Sequence, residues 1–427
     1  MALSRRKLLT RGLALAAAGL WVPRRLAAAP VPSAERKFLF VFARGGWDTT
    51  CVFTPLFGNP YADVEADATT AEANGITYVD RATRPSVRGF FERWGDQTCV
   101  LNGVEVRSVT HERCRRIVLT GSSDAASDDW PTNIAARSAL SLACPYLVLG
   151  GPAYTAKFTS EVVRVGSDGQ LSDLLSGEAL ERSTLPVVRM DGSLEALGDT
   201  FVRERAAQAA ASASSGGAAR YAARYATALE QLDQLRDAGA GLDLGGGPTG
   251  CSVDVVGNAS KIFDCFELGL SRCGIVESLG WCDSGWDTHA DNTLQDVNFE
   301  DLFRYLDTIL LDLEGRTSVS GAPLAEEVTI VVISEMGREP TANTWGGKNH
   351  WTYTSAMLIG AGVRGGQVIG QLDDNAHGVP VDLATGDTAE AGTALTAGHL
   401  GATLYALAGL DPLEINPQYE AIAGALV

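Results

Sequence analysis

The chain has 427 residues, 45% hydrophobic and 20% charged, with a formal net charge of −18 at pH 7. That is ordinary globular composition, with length for one large α/β domain or two smaller ones. The acidic excess argues against nucleic acid or anionic lipid as partners, and against anionic substrates unless a metal or arginine cluster reverses the sign locally.

Ser4-Arg5-Arg6-Lys7-Leu8-Leu9 forms a twin-arginine pattern, followed by the apolar run Gly12 to Val22, Arg24-Arg25 and Ala27-Ala28-Ala29. The run is too short to span a bilayer and reads as an export signal with a small-residue cleavage site. Residues 1–34 are therefore set apart as a signal peptide for periplasmic or secreted delivery, leaving 35–427 with no stable membrane span. Cleavage removes six cations and no acid, taking −18 to −24. All eight cysteines lie in the mature part, so disulfides are plausible in an oxidising compartment, with their pairing open. No CxxC or Cys/His spacing points to structural zinc.

Lys37 to Ala43 (KFLFVFA) predicts the first strand, with Asp48 just past its end. The stretch Asn59 to Arg84 is polar and loop-like. Val87 to Trp94 predicts a helix and Cys99 to Val104 a strand. The polar turn Arg107 to His111 leads to a helix over Glu112 to Thr120, closed by Gly121. A further helix is expected from Pro131 to about Ala143, then a strand over Pro145 to Leu149. Leu197 to Leu242, rich in Ala, Arg and Gln, predicts two surface helices broken at Ser212 to Gly217, within a helical Ala/Gly-rich insertion at about 197–250. Gly245 to Gly247 is not followed by the Lys-Ser/Thr of a nucleotide loop and reads as a linker. Alternation resumes with a helix over Ala259 to Leu270, a strand over Gly274 to Gly280, and the loop Trp281 to Asn292. The amphipathic helix Val297 to Leu313 and the buried strand Val328 to Ser334 (VTIVVIS) follow. After the Gly-rich loop with Asn349 and His350 comes a second apolar run, SAMLIGAG, and Leu395 to Leu410 forms the last helix. This alternation predicts a three-layer α/β/α sandwich with a mainly parallel sheet.

Four polar clusters fall at predicted strand ends: Asp48; the Ser108 to Arg116 turn; the Trp286 to Asn292 loop with Asp287 and His289; and Glu335 with Arg338 and His350. Open α/β sheets bind ligands at that edge. Hard divalent cations prefer carboxylates, and zinc or manganese also accept imidazole, so Asp48, Asp287, His289, Glu335 and His350 form a candidate metal set. Trp47, Trp286, Trp345 and Trp351 flank these clusters and either wall the pocket or pack in the core. His399 is expected to pack at a helix start, and His377 to lie in a solvated turn.

At GGWDT, GWDTHADN, SEMGREPTANTWGGKNHW and GVRGGQVIG the sequence resembles the exported bacterial proteins called domain of unknown function 1501, which share the alkaline phosphatase and sulfatase superfamily fold. The resemblance implies an alkaline phosphatase-like α/β core with metal ligands at the C-terminal sheet edge. By position, Asp48 resembles the first-strand aspartate ligand, Asp287 and His289 the next pair, Glu335 the strand-end acid and His350 the late histidine. Arg115, Thr120 and Gly121 match the sulfatase nucleophile-helix spacing, but His111 holds the nucleophile position, so no formylglycine forms there. Met336 stands where the superfamily has a second-metal histidine, leaving one or two ions of zinc, manganese or calcium. The implied activity is metal-dependent hydrolysis of phosphate or sulfate esters, small or polymeric. Arg115 and Arg338 would serve the reaction, with Thr110 or His111 as nucleophile or water attacking directly. The alternative is a non-catalytic secreted or surface binding protein that retains the fold, with or without its metal. A nucleotide-dependent oxidoreductase is disfavoured, since no GxGxxG follows a strand.

Overall fold

The first strand, β1 (Lys37–Ala43), sends alternate side chains to opposite faces, as period-2 geometry requires. Leu39, Val41 and Ala43 enter one apolar core and Phe38, Phe40 and Phe42 another. One sheet therefore separates two hydrophobic layers. The structure, a computed structural model, describes residues 36–165, 191–239 and 253–427. The twin-arginine segment and the Gly245 to Gly247 linker lie outside the described residues.

In chain order the remaining strands are β2 (Thr69–Ala73), β3 (Ile76–Asp80), β4 (Thr98–Glu105), β5 (Tyr146–Val148), β6 (Val162–Arg164), β7 (Cys273–Ser278), β8 (Val328–Ser334), β9 (Gly337–Ala342), β10 (Lys348–Trp351), β11 (Tyr353–Gly360) and β12 (Gln367–Ile369). Eight build the main sheet in the order β12-β4-β11-β8-β1-β7-β5-β6. All its pairings are parallel except those of β11, which runs against both β8 and β4. Strands β1, β4, β7 and β8 thus share a direction and end at one edge. Two ribbons, β2-β3 and β9-β10, stand apart from the sheet.

Among the described residues the helices of seven residues or more are α1 (Pro85–Trp94), α2 (His111–Thr120), α3 (Trp130–Ala136), α4 (Gly192–Ala211), α5 (Gly216–Gly239), α6 (Val255–Glu267), α7 (Leu294–Glu314) and α8 (Ala397–Leu407). Phe90 and Phe91 of α1, Ile262 and Phe266 of α6, and Phe299, Leu302 and Leu306 of α7 fill the Leu39 side. Val118 and Leu119 of α2, Ile134 of α3, and Leu400 and Leu404 of α8 fill the Phe40 side. The result is a three-layer α/β sandwich with a mainly parallel sheet. Among the described residues no helix is long and apolar enough to cross a membrane.

Several expectations need correction. The helix expected from Pro131 to Ala143 stops at Ala136; beyond it Ala139, Leu140 and Ser141 are exposed. The loop-like stretch at 59–84 contains the β2-β3 hairpin, turned by Asn74 and Gly75, both at positive φ. Asn-Gly at such a turn is a strong hairpin signal, here set within a stretch of polar composition. The Gly-rich segment after β8 is a ribbon that sets His350 opposite Arg338. Trp47 and Trp286 are fully buried and pack against Phe299, so they belong to the core; Trp345 is 73% exposed. His399 is buried at the start of α8, with its Nδ1 accepting from the Thr396 backbone N–H at 3.1 Å. Among the described residues six cysteines are free and buried, and Cys282 is disulfide-bonded.

Candidate metal centre

Three loops and one ribbon meet where the parallel strands end. The loop after β4 begins α2 at His111, the loop after β7 carries Asp287 and His289, β8 runs into Glu335, and β10 presents His350. Glycine makes this close approach feasible. Gly45 sits at φ +130°, and a Cβ there would lie 2.7 Å from the Asp287 backbone nitrogen. Gly45→Ala should therefore cost at least about 1–3 kcal/mol in backbone strain and displace Asp287. Thermal melting together with metal titration checks this; an unchanged midpoint and unchanged metal uptake would contradict it.

His111, Asp287, His289 and His350 converge. His111 Nε2 lies 3.2 Å from Asp287 Oδ2, and His350 Nε2 lies 3.1 Å from Oδ1. His289 Nε2 is 3.3 Å from the same Oδ1 and 2.9 Å from His350 Nε2. The other ring nitrogens of two of these histidines are committed. His111 Nδ1 donates to Glu335 Oε1 at 2.8 Å, and His350 Nδ1 donates to the Val109 carbonyl at 2.7 Å. These outer bonds fix the tautomers, so that when neutral each ring turns its Nε2 lone pair towards Asp287, the arrangement that carboxylate and carbonyl partners impose on ligating histidines. Lone pairs facing a carboxylate oxygen at such range repel unless a proton or a cation lies among them.

The electrostatics agree. Hydrogen bonds to Asp287 and then Glu335 push the His111 pKa up to about 9, so without a cation a proton bridges His111 and Asp287. Burial pushes the Asp287 carboxyl up, but bonds from His111, His350 and Arg338 outweigh it and hold the group well below the usual carboxylate range. Burial lowers the His289 pKa, favouring the neutral ring that a metal ligand needs. His111, Asp287 and His350 offer one ligand atom each, all within 4.8 Å of one another. Imidazole nitrogens with one carboxylate oxygen suit zinc or manganese better than calcium.

The other expected site residues are placed differently. Asp48 is fully buried and faces Lys348, whose Nζ lies 2.8 Å from its Oδ2. Thr50 and Asn292 donate to the same carboxylate. Its oxygens are thus occupied by an internal cation and neutral donors, not directed at the histidines. Glu335 is buried beneath His111, accepting from it and from the Gly45 N–H, so its carboxylate is turned to the outer nitrogen of the ring and not into the cluster. Arg338, expected to serve the reaction, is 1% exposed. It donates to the carbonyls of Gly45, Gly46, Trp286 and Lys348 and to Asp287 Oδ1 at 2.6 Å, which makes it a clamp under the site. Met336 is buried among Val106, Cys114 and Ile117. Thr110 is exposed at the start of α2, and its carbonyl accepts from Cys114 N–H. Arg115 lies one turn beyond His111, its Nε 3.4 Å from the His111 carbonyl.

Sequence reasoning missed two residues beside the site. Lys348 neutralises Asp48; the only cue was a lysine in an otherwise uncharged Gly-rich loop. Glu277 sits near the end of β7 with its carboxyl pushed up by burial, partly countered by Arg44.

The fold and this cluster define a layered α/β protein with an imidazole-carboxylate centre at its C-terminal sheet edge. Residues 272–421 match the family model described as "Protein of unknown function (DUF1501)", the family whose motifs the sequence resembles. That span includes Asp287, His289, Glu335, Arg338 and His350 and excludes Asp48 and His111. No curated protein matches the chain. Solved structures similar to it include the C-terminal periplasmic domain of EcEptC from Escherichia coli, at 11% identity over 91% of this chain and 86% of that one, TM-score 0.40. The PsFucS1 sulfatase from Pseudoalteromonas sp. aligns at 11% identity over 92% and 72%, TM-score 0.39. The phosphonate monoester hydrolase of Agrobacterium radiobacter aligns at 11% identity over 88% of this chain and 74% of that one, TM-score 0.34.

Proposed function

We propose that this protein is an exported, metal-dependent hydrolase of phosphate or sulfate esters. The observation that carries the reading is the convergence of His111, Asp287, His289 and His350, with two ring tautomers fixed by outer hydrogen bonds. His111, Asp287 and His350 would hold the cation, with His289 as a fourth donor. Bound there, a divalent cation supplies Lewis-acid charge for a developing oxyanion and makes water a competent nucleophile near neutral pH. The free N–H groups in the first turn of α2 favour an anion, and Arg115 lies one turn on to neutralise its oxygens. His111 has both nitrogens engaged, so direct attack by water is favoured over a histidine nucleophile. The export element of the reading rests on the Arg5-Arg6 leader pattern.

Elemental analysis of the purified protein, with aryl phosphate and aryl sulfate assays, tests the proposal. Bound zinc or manganese, with turnover lost on His350→Ala, is the expected result; a metal-free protein inert to both esters would sink it. Glu335→Gln supplies a finer check. It should weaken metal binding by roughly 10–100-fold, as loss of an outer partner does, with the circular dichroism spectrum unchanged. A second reading, a non-catalytic metal-retaining binding protein, is favoured by one observation: Thr110 is exposed, and among the described residues its hydroxyl bonds to no base. Metal uptake without turnover of either ester would select it.

A further inference from the structure

Helix α2 carries Arg113, Arg115 and Arg116 on a chain whose net charge is −18. With Glu112, Ser123 and Tyr154 they line a cleft of about 640 Å³, within the range that encloses a small organic ligand. The Arg116 guanidinium lies over the Tyr154 ring at 4.4 Å, which restrains it. Among the described residues Arg113 and Arg116 form no ion pair, and Arg115 meets only Glu112, at 3.3 Å, whose side chain is 80% exposed. Like charges three apart on a helix repel. Three guanidiniums held within four residues are therefore a standing cost that an anion would relieve, and a planar fork of donors suits sulfate or phosphate.

The cleft adjoins the candidate centre. Arg115 Nε lies 3.4 Å from the His111 carbonyl, and the helix rises about 6 Å between the two residues. We infer that this cleft binds a second sulfate or phosphate of the substrate, so that the substrate class is an ester carrying at least two such groups. One reacts at the centre and another is held by Arg113 and Arg116. The inference rests on the hydrolase reading for the word substrate, while the anion site itself stands on the α2 arginines and the cleft they line with Ser123 and Tyr154.

Isothermal titration of the full chain with sucrose octasulfate tests it independently of turnover. The wild type should bind it, more weakly as salt rises. Arg113→Gln/Arg116→Gln should bind at least roughly 10-fold more weakly. Arg220→Gln/Arg224→Gln, which removes the same charge from exposed positions of α5, should bind like the wild type. Equal loss in both double variants, absence of binding by the wild type, or tighter binding of an oligodeoxythymidylate than of the sulfated sugar would overturn the inference. Melting midpoints of both double variants are to match the wild type, and Arg113→Gln alone, at an exposed position, should still weaken binding. Hydrolysis of aryl esters without arginine-dependent binding overturns the cleft and leaves the hydrolase reading intact. Arginine-dependent binding by a protein that takes up no metal and hydrolyses no ester overturns the substrate assignment together with that reading.

Discussion

Lys348→Met should destabilise the protein by about 3–5 kcal/mol, the usual loss when one partner of a buried ion pair is removed. Lys348 is 2% exposed and Asp48 fully buried, with 2.8 Å between Nζ and Oδ2. Methionine fills the same stem volume but leaves a carboxylate without its cation. The pH dependence follows from the direction of each shift. Burial raises the Asp48 pKa, but Lys348, with the hydrogen bonds from Thr50 and Asn292, more than offsets this and leaves it below its ordinary value. A depressed acid stabilises the fold above its unfolded pKa of about 4, and that contribution is lost as pH falls through the lower folded value. Burial lowers the Lys348 pKa, and its acidic neighbours, Asp48 foremost, more than restore it, so the lysine's contribution is lost only in strong alkali. In the variant, Asp48 is buried unpaired and destabilises increasingly as pH rises. Denaturant unfolding from pH 4 to 8 should therefore show the gap between the two proteins widening with pH. Asp48→Asn/Lys348→Met should recover most of the loss, and a double variant as unstable as the single would show that the pair is not the cause.

Asp287→Asn should abolish metal uptake, exceeding the roughly 10–100-fold loss expected for an outer partner. Both Asp287 oxygens face imidazole nitrogens, and Oδ1 also accepts from Arg338 at 2.6 Å. Asparagine keeps the shape but replaces one oxygen with an NH₂ that cannot ligate, and it removes the negative charge that the centre offers a cation. His111 should respond as well. Hydrogen bonds to Asp287 and Glu335 place its pKa at about 9, with Asp287 the larger cause. In the metal-free variant the ring should titrate at lower pH. Nuclear magnetic resonance of the His111 ring, beside competitive chelator titration, checks both effects. Retained stoichiometric metal would show that the cation sits elsewhere.

The fold was legible where local chemistry and tertiary role coincide. KFLFVFA and VTIVVIS are apolar on both faces and end at small or polar residues, and β1 and β8 have those same bounds. The polar β9 (GREPTA) has no such pattern, and only its partner β10 makes it a strand. The candidate site was legible as a set of residue types at one sheet edge. Which acid ligates and which supports was not, because that depends on partners far along the chain. Asp48 and Asp287 look alike in sequence, each following a Trp in the loop beyond a strand. One is answered by Lys348 and the other by three histidines and Arg338.

The two faces of β1 differ in bulk: three phenylalanine rings point one way and leucine, valine and alanine the other. Sliding the strand by a single position would force the rings into space shaped for smaller groups, so side-chain volume works as a ratchet on its alignment with β7 and β8. Gly45 lies two residues past that ratchet, against the Asp287 backbone. Trimming Phe40 would thus be felt first as misaligned chemistry at the rim, before any loss of the layered architecture.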